Sequence, residues 1–153
     1  MQAMNKPDQQ NGKGVALATF IKLMRASESV SADIHRQITA AGLTISQFGI
    51  LEALFHLGPM TQKELAVKIL KSAGNITMVI DNLEKQDLVI RTRNDEDRRS
   101  YLISPTARGK TLIAEMFPAH AERISKRMAY LSIEEQRTLG RLLKKLGTTK
   151  DQQ

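Results

Sequence analysis

The sequence predicts a mainly α-helical fold carrying one small β-hairpin. Three observations lead there. Long amphipathic patterns occupy both flanks, two short helix patterns with cap signals lie in the middle, and one β-branched, alternating run follows them across a polar turn.

Residues 1–14, rich in Gln, Asn, Gly and Lys, read as a disordered tail. From Val15 to about Ala41, Leu17, Phe20, Ile21, Met24, Val30, Ile34 and Ile38 recur at helical spacing, and Gly42 is a suitable helix end. Thr44-Ile45-Ser46-Gln47 has the capping-box pattern that opens a second helix, with Phe48, Leu51, Leu54 and Phe55 on its apolar side. Gly58-Pro59 stops it. Thr61-Gln62-Lys63-Glu64 is another capping box, and Leu65, Ala66 and Ile69 give the short helix behind it an apolar stripe. Lys71-Ser72-Ala73-Gly74 then makes a turn with Ser72 as cap. The next helix, about Ala73 to Gln86, buries Ile76, Val79, Ile80 and Leu83.

Leu88 to Arg93 alternates as a strand, Asn94-Asp95-Glu96-Asp97 is a turn cluster, Arg98 and Arg99 follow, and Ser100 to Ile103 is the return strand. Ser104 as cap with Pro105 in the first turn starts a long helix toward Tyr130. Pro118 inside it removes a backbone donor, which predicts a kink or break. Ser132-Ile133-Glu134-Glu135 starts a last helix ending near Gly147, apolar at Leu139, Leu142, Leu143 and Leu146. The implied division is 1–14 tail, 15–42 N-terminal dimerisation helix, 43–104 winged helix-turn-helix domain, 105–148 C-terminal dimerisation helices, and 149–153 tail.

The middle region carries the functional signal. A hairpin with adjacent arginines at its tip suits a narrow, strongly negative minor groove, and small or amide side chains at the start of a second helix suit base edges in a major groove. An isolated Asp-Arg-Arg is more simply a solvated surface turn, and Asn or Thr at a helix start is an ordinary choice. Their succession favours DNA recognition. The candidate major-groove residues are Ser72, Gly74, Asn75, Thr77 and Met78; the wing residues are Arg91, Arg93, Arg98 and Arg99. Thr61, Lys63 and Lys71 are candidate phosphate contacts, which position without reading sequence. The flanking helices outnumber what one small domain needs, so their surplus apolar faces call for a partner, most simply a second copy.

These residues resemble the winged helix-turn-helix of the multiple-antibiotic-resistance regulator (MarR) family. The match rests on Leu43-Thr44 with Gln47-Phe48, the helix pair, "NLEKQDLV" leading into the wing, Asp97-Arg98-Arg99, and Ser104-Pro105 with Gly109 soon after. It extends from about Leu17 to Gly147. The resemblance implies a symmetric helical dimer with two winged domains, and ligand-responsive repression of transcription from a pseudo-palindromic operator. Met78 departs from the arginine or other polar residue that many relatives place there; it offers only apolar contact, such as with a thymine methyl. A small effector, with aromatic compounds as the candidate class, would enter the crevice between dimer helices and winged domain, lined by His35, Phe48, Phe55 and Phe117, although such residues are more often core. The alternative is a non-specific or architectural DNA-binding protein.

Composition narrows other classes. Without cysteine, disulfides, thiolate metal sites and thiol-based sensing are excluded. His35, His56 and His120 lack metal-ligand spacing and read as surface or hydrogen-bonded structural residues. No phosphate cradle, nucleophile elbow or cofactor motif is present, so neither an enzyme nor a bound cofactor is expected. No signal-peptide pattern or long apolar run appears, which predicts a soluble cytoplasmic chain making no membrane contact. The net charge of +7 is a weak pointer to DNA, because residues 61–103 hold eight basic and seven acidic side chains. Placement of the arginines says more than the balance.

Overall fold

The computed structural model describes residues 12–69 and 73–148. Helix α1 (Gly12–Ala40) runs into α2 (Ile45–Leu57) through Gly42, whose φ of 83° is one that L side chains rarely adopt. Residues 12–14, expected in the tail, are helical; the rest of that tail, residues 149–153, Lys71 and Ser72 lie outside the described residues. Thr44 caps α2 as predicted: its hydroxyl accepts from the Gln47 amide at 3.1 Å and the Gln47 side chain accepts from the Thr44 amide at 3.0 Å.

A two-residue strand β1 (Met60–Thr61) precedes α3 (Gln62–Lys68), followed by α4 (Ala73–Lys85), β2 (Val89–Arg93) and β3 (Tyr101–Pro105). β1 pairs antiparallel with β3, Met60 opposite Ile103, and makes the sheet three-stranded in the order β1-β3-β2. This third strand was absent from the sequence expectation; two residues carry no readable period. The core is shared by α2, α3, α4 and the sheet, with Leu51, Leu54, Leu65, Ile76, Ile80, Leu83 and Ile103 all buried. Packing these faces together is what sets α4 beside the hairpin.

Two expectations about α5 (Ala107–Met128) need correction. Ser104 and Pro105 belong to β3, and Thr106 is the cap, its hydroxyl accepting from the Gly109 amide at 3.0 Å. Ser104 is claimed by the sheet, where it faces Ile90 across the β2–β3 ladder. Pro118 neither breaks nor ends α5, which continues on both sides of it. Losing one donor in a helix of this length does not outweigh the packing of Ile113 and His120, both buried on either side of the proline.

The α4-to-β2 turn and the start of α5 are stitched together. Asp87 takes φ 56°, while the Leu88 amide donates to Leu83 at 2.9 Å and the Asp87 amide to Glu84 at 3.0 Å, a Schellman closure with aspartate where glycine is usual. Thr106 donates its hydroxyl to the Asp87 carbonyl at 2.6 Å and its amide to the Leu88 carbonyl at 3.1 Å.

The last helix, α6 (Ile133–Gly147), opens with a Ser132–Glu135 capping box and buries none of its residues. Leu142, Leu143 and Leu146 stay exposed on it, as do Val15, Leu17, Phe20, Ile21 and Met24 on α1. Near its C-terminus α1 contributes buried Ile38 to the core, and polar contacts add to this: Arg127 on α5 donates to the Ser29 hydroxyl at 2.7 Å, and Arg123 reaches the Asp33 carboxylate at 3.8 Å. Apolar stripes of this extent are unusual on a monomer surface.

Candidate nucleic-acid interface

The interface is built on α3, α4 and the hairpin. Thr61 starts α3 by the predicted capping box, accepting from the Glu64 amide at 3.2 Å, while Glu64 accepts from both the Thr61 amide, at 2.8 Å, and its hydroxyl, at 3.1 Å. That hydroxyl is committed to the cap, so of the predicted phosphate-contact residues on α3 only exposed Lys63 keeps its polar end turned to solvent. On α4, Asn75, Thr77 and Met78 are exposed opposite buried Ile76 and Ile80. Thr77 also receives the Gln62 side-chain amide, a bond that joins the two helices of the pair. Gly74 lies in the first turn of α4.

The hairpin tip is organised by its own backbone. The Asn94 amide donates to the Ser100 carbonyl at 3.1 Å, and the Asn94 side-chain oxygen accepts from the Glu96 amide at 3.1 Å. The Asp97 carboxylate accepts from the Arg99 amide at 3.0 Å. The carboxylate between the arginines thus serves the turn, an Asx-type arrangement. Among the described residues no ion pair holds Arg93, Arg98 or Arg99, and all three are exposed. Between this tip and α3 runs an open groove of about 1030 Å³, walled by Lys63, Ala66 and Val67 on one side and by Asn94, Arg99 and Tyr101 on the other.

Arg91 is not at the tip. Its guanidinium turns back onto α4, meeting Asp81 at 2.5 Å and Glu84 at 3.1 Å, and its side chain is only 20 % exposed. Period-2 alternation puts Arg91 on the face of β2 that carries buried Val89, but it puts exposed Arg93 there as well, so it does not single out Arg91. Asp81 and Glu84 were missed as its partners; spacing along one helix does not reveal a strand residue that will pack across it.

Sequence similarity to known proteins agrees with this arrangement. The model of the MarR family matches residues 43–101. Over 132 residues the chain is 36 % identical to the HTH-type transcriptional regulator MhqR of Bacillus subtilis, covering 86 % of this chain and 91 % of that one. The chain belongs to the MarR family. Its fold is that of AbsC, a MarR family transcriptional regulator from Streptomyces coelicolor, with TM-score 0.81 at 19 % identity over 96 % of each chain. A structure of Bordetella bronchiseptica BpsR, concerned with regulation of its DNA binding by 6-hydroxynicotinic acid, aligns with TM-score 0.76 and 25 % identity, covering 97 % of this chain and 100 % of that one. Like other MarR-type proteins, this one is a DNA-binding transcription regulator, and the family is not one of enzymes. Among the described residues, no single helix is long and apolar enough to cross a membrane.

The expected effector-pocket residues come together differently. Phe48 packs on His120 with ring centroids 4.6 Å apart, Phe117 on His56 at 4.5 Å, and Phe55 on His56 at 5.1 Å. Phe48 is 2 % exposed and belongs to the core of this MarR protein; His35 and Phe117 are half-buried, and Phe55 is exposed. His120 corrects another expectation. It is buried, and its Nδ1 has no hydrogen-bond partner among the described residues. Burial lowers its pKa below the usual 6.5; the Glu52 carboxylate opposes that shift and His35 adds to it.

The unfolded chain takes up this proton more readily than the folded one, so the His120 contribution is complete above the unfolded pKa and is lost as pH falls through the lowered folded value. Urea midpoints should therefore drop between about pH 7.5 and pH 5, and His120→Leu should flatten the acid side of that profile. An unchanged acid limb in His120→Leu would show that other groups govern it.

Proposed function

We propose that the chain is a homodimeric, sequence-specific repressor whose grip on a pseudo-palindromic duplex is released by a small aromatic ligand. The observation that carries this reading is the hairpin tip, where Arg98 and Arg99 are exposed and outside every ion pair among the described residues, with Arg99 lining an open groove opposite α3. Asn75, Thr77 and Met78 on the exposed face of α4 then meet base edges in the major groove, while Arg93, Arg98 and Arg99 address the adjacent minor groove and Lys63 a phosphate. The uncovered apolar stripes on α1 and α6 support the dimer, since a twofold-related copy would cover both. Two copies of α4 would enter successive major grooves roughly 34–36 Å apart. The aromatic ligand class rests on likeness to BpsR, whose DNA binding is regulated by 6-hydroxynicotinic acid.

Selection of bound fragments from genomic DNA by the purified protein tests this directly. A shared inverted-repeat site is expected, and its loss on adding small aromatic acids identifies the effector class. Asn75→Ala should relax preference at one position in each half-site, by about 1–3 kcal/mol. An Asn75→Ala protein that selects the same site as wild type would remove that residue from the reading. The architectural alternative predicts equal affinity for selected and random duplexes at every salt concentration.

A further inference from the structure

We propose that Arg91 is a positioning residue of the DNA-reading surface: by bridging Asp81 and Glu84 it sets the roll of α4 against the wing, and with it base preference, without touching a phosphate. The inference rests on the DNA-binding reading above.

The geometry is specific. β2 is the outer strand of the sheet, opposite β1, and its Arg91 amide, not used in the ladder to β3, donates to Glu84 at 3.3 Å. The guanidinium of the same residue spans two carboxylates one turn apart, Asp81 at 2.5 Å and Glu84 at 3.1 Å. A planar fork of donors suits such a double bridge; a lysine ammonium does not. Asp81 lies one helical turn beyond Thr77 and Met78 on the same side of α4, so a clamp on Asp81 restrains rotation of the residues turned toward bases. The apolar contacts beneath α4 and the Gln62–Thr77 bond seat the helix on the core, and the Arg91 bridge adds a directional restraint toward its C-terminal end.

Charge gives a second reason. Asp81 and Glu84 are the acidic residues of α4, and each is nearly half exposed. Unpaired, they would repel a polyanion approaching this helix. Arg91 neutralises them from the protein side, which leaves the tip arginines to face the duplex.

The test uses the full-length protein with its selected fragment and a random duplex, titrated across a salt series. Arg91→Lys is expected to lower the selected-to-random affinity ratio about tenfold or more while leaving the salt slope unchanged. Asp81→Asn combined with Glu84→Gln should lose the same ratio yet bind random duplex more tightly, since two negative charges are gone. The idea is overturned if Arg91→Lys keeps the ratio, or if Arg91→Ala keeps it and lowers the salt slope by about one, the mark of a direct phosphate contact. It is equally overturned if the doubly neutralised variant discriminates as wild type does. A wild-type chain that prefers no fragment at all defeats the DNA-binding reading itself, a result separate from any of these.

Discussion

Arg98→Ala together with Arg99→Ala will lower affinity for the selected duplex roughly a hundredfold or more, with the fold intact. Each guanidinium is worth about 1–3 kcal/mol where it meets the groove, and removing two cations should shallow the salt slope by about two. Stability should change little, because both side chains are exposed and none of the described ion pairs includes them. The turn itself is held by Asn94, Asp97 and Ser100, which the double variant retains. Binding can be followed by anisotropy of a labelled duplex, and folding by far-ultraviolet dichroism. Unchanged affinity would mean that the hairpin is a surface turn and that recognition lies elsewhere. Comparing this variant with Arg91→Lys separates tip from clamp: the first loses affinity for every duplex, the second loses discrimination.

Gly109→Ala is expected to have the largest effect on folding. Alanine favours a helix over glycine by about 1 kcal/mol, so on propensity alone the substitution should stabilise α5. Position 109 reverses that sign. A Cβ there would stand 2.1 Å from the Leu88 carbonyl oxygen and 3.0 Å from its carbon, both backbone atoms. Relief requires lifting α5 away from the α4-to-β2 turn, which breaks the bonds from Thr106 to the Asp87 and Leu88 carbonyls and disturbs the cap on Gly109 itself. Overpacking of this kind costs about 3 kcal/mol, and the loss of a cap adds about 1 kcal/mol more. The net expectation is a destabilisation of roughly 3 kcal/mol, seen as a lower urea midpoint at unchanged slope. A rise in midpoint would show that α5 and the turn do not pack as closely as described. The same joint ties the long helix to the DNA-reading domain, so the variant should also weaken DNA binding at temperatures where it remains folded.

Much of the architecture was legible from the chain alone. Thr44, Thr61 and Ser132 announce their helices because a capping box closes between residues three apart, before any other part of the fold matters. Ile76, Ile80 and Leu83 declare the buried side of α4 by period, and the polar run after Arg93 declares the hairpin turn for the same local reason. The exposure of Arg98 and Arg99 also followed from their place in that turn.

Tertiary structure decided what those local rules leave open. Ser104 and Thr106 both have the chemistry of a cap, and pairing of β3 with β2 assigned the first to the sheet and the second to the helix. Four wing arginines look alike in sequence, yet only Arg91 meets two carboxylates, because packing brings α4 against that face of β2. His120 became a buried imidazole only when α5 closed over Phe48. Hydrogen bonds and periods within a few residues are encoded where they occur; the partner of a long charged side chain is chosen by whichever distant segment the core holds beside it.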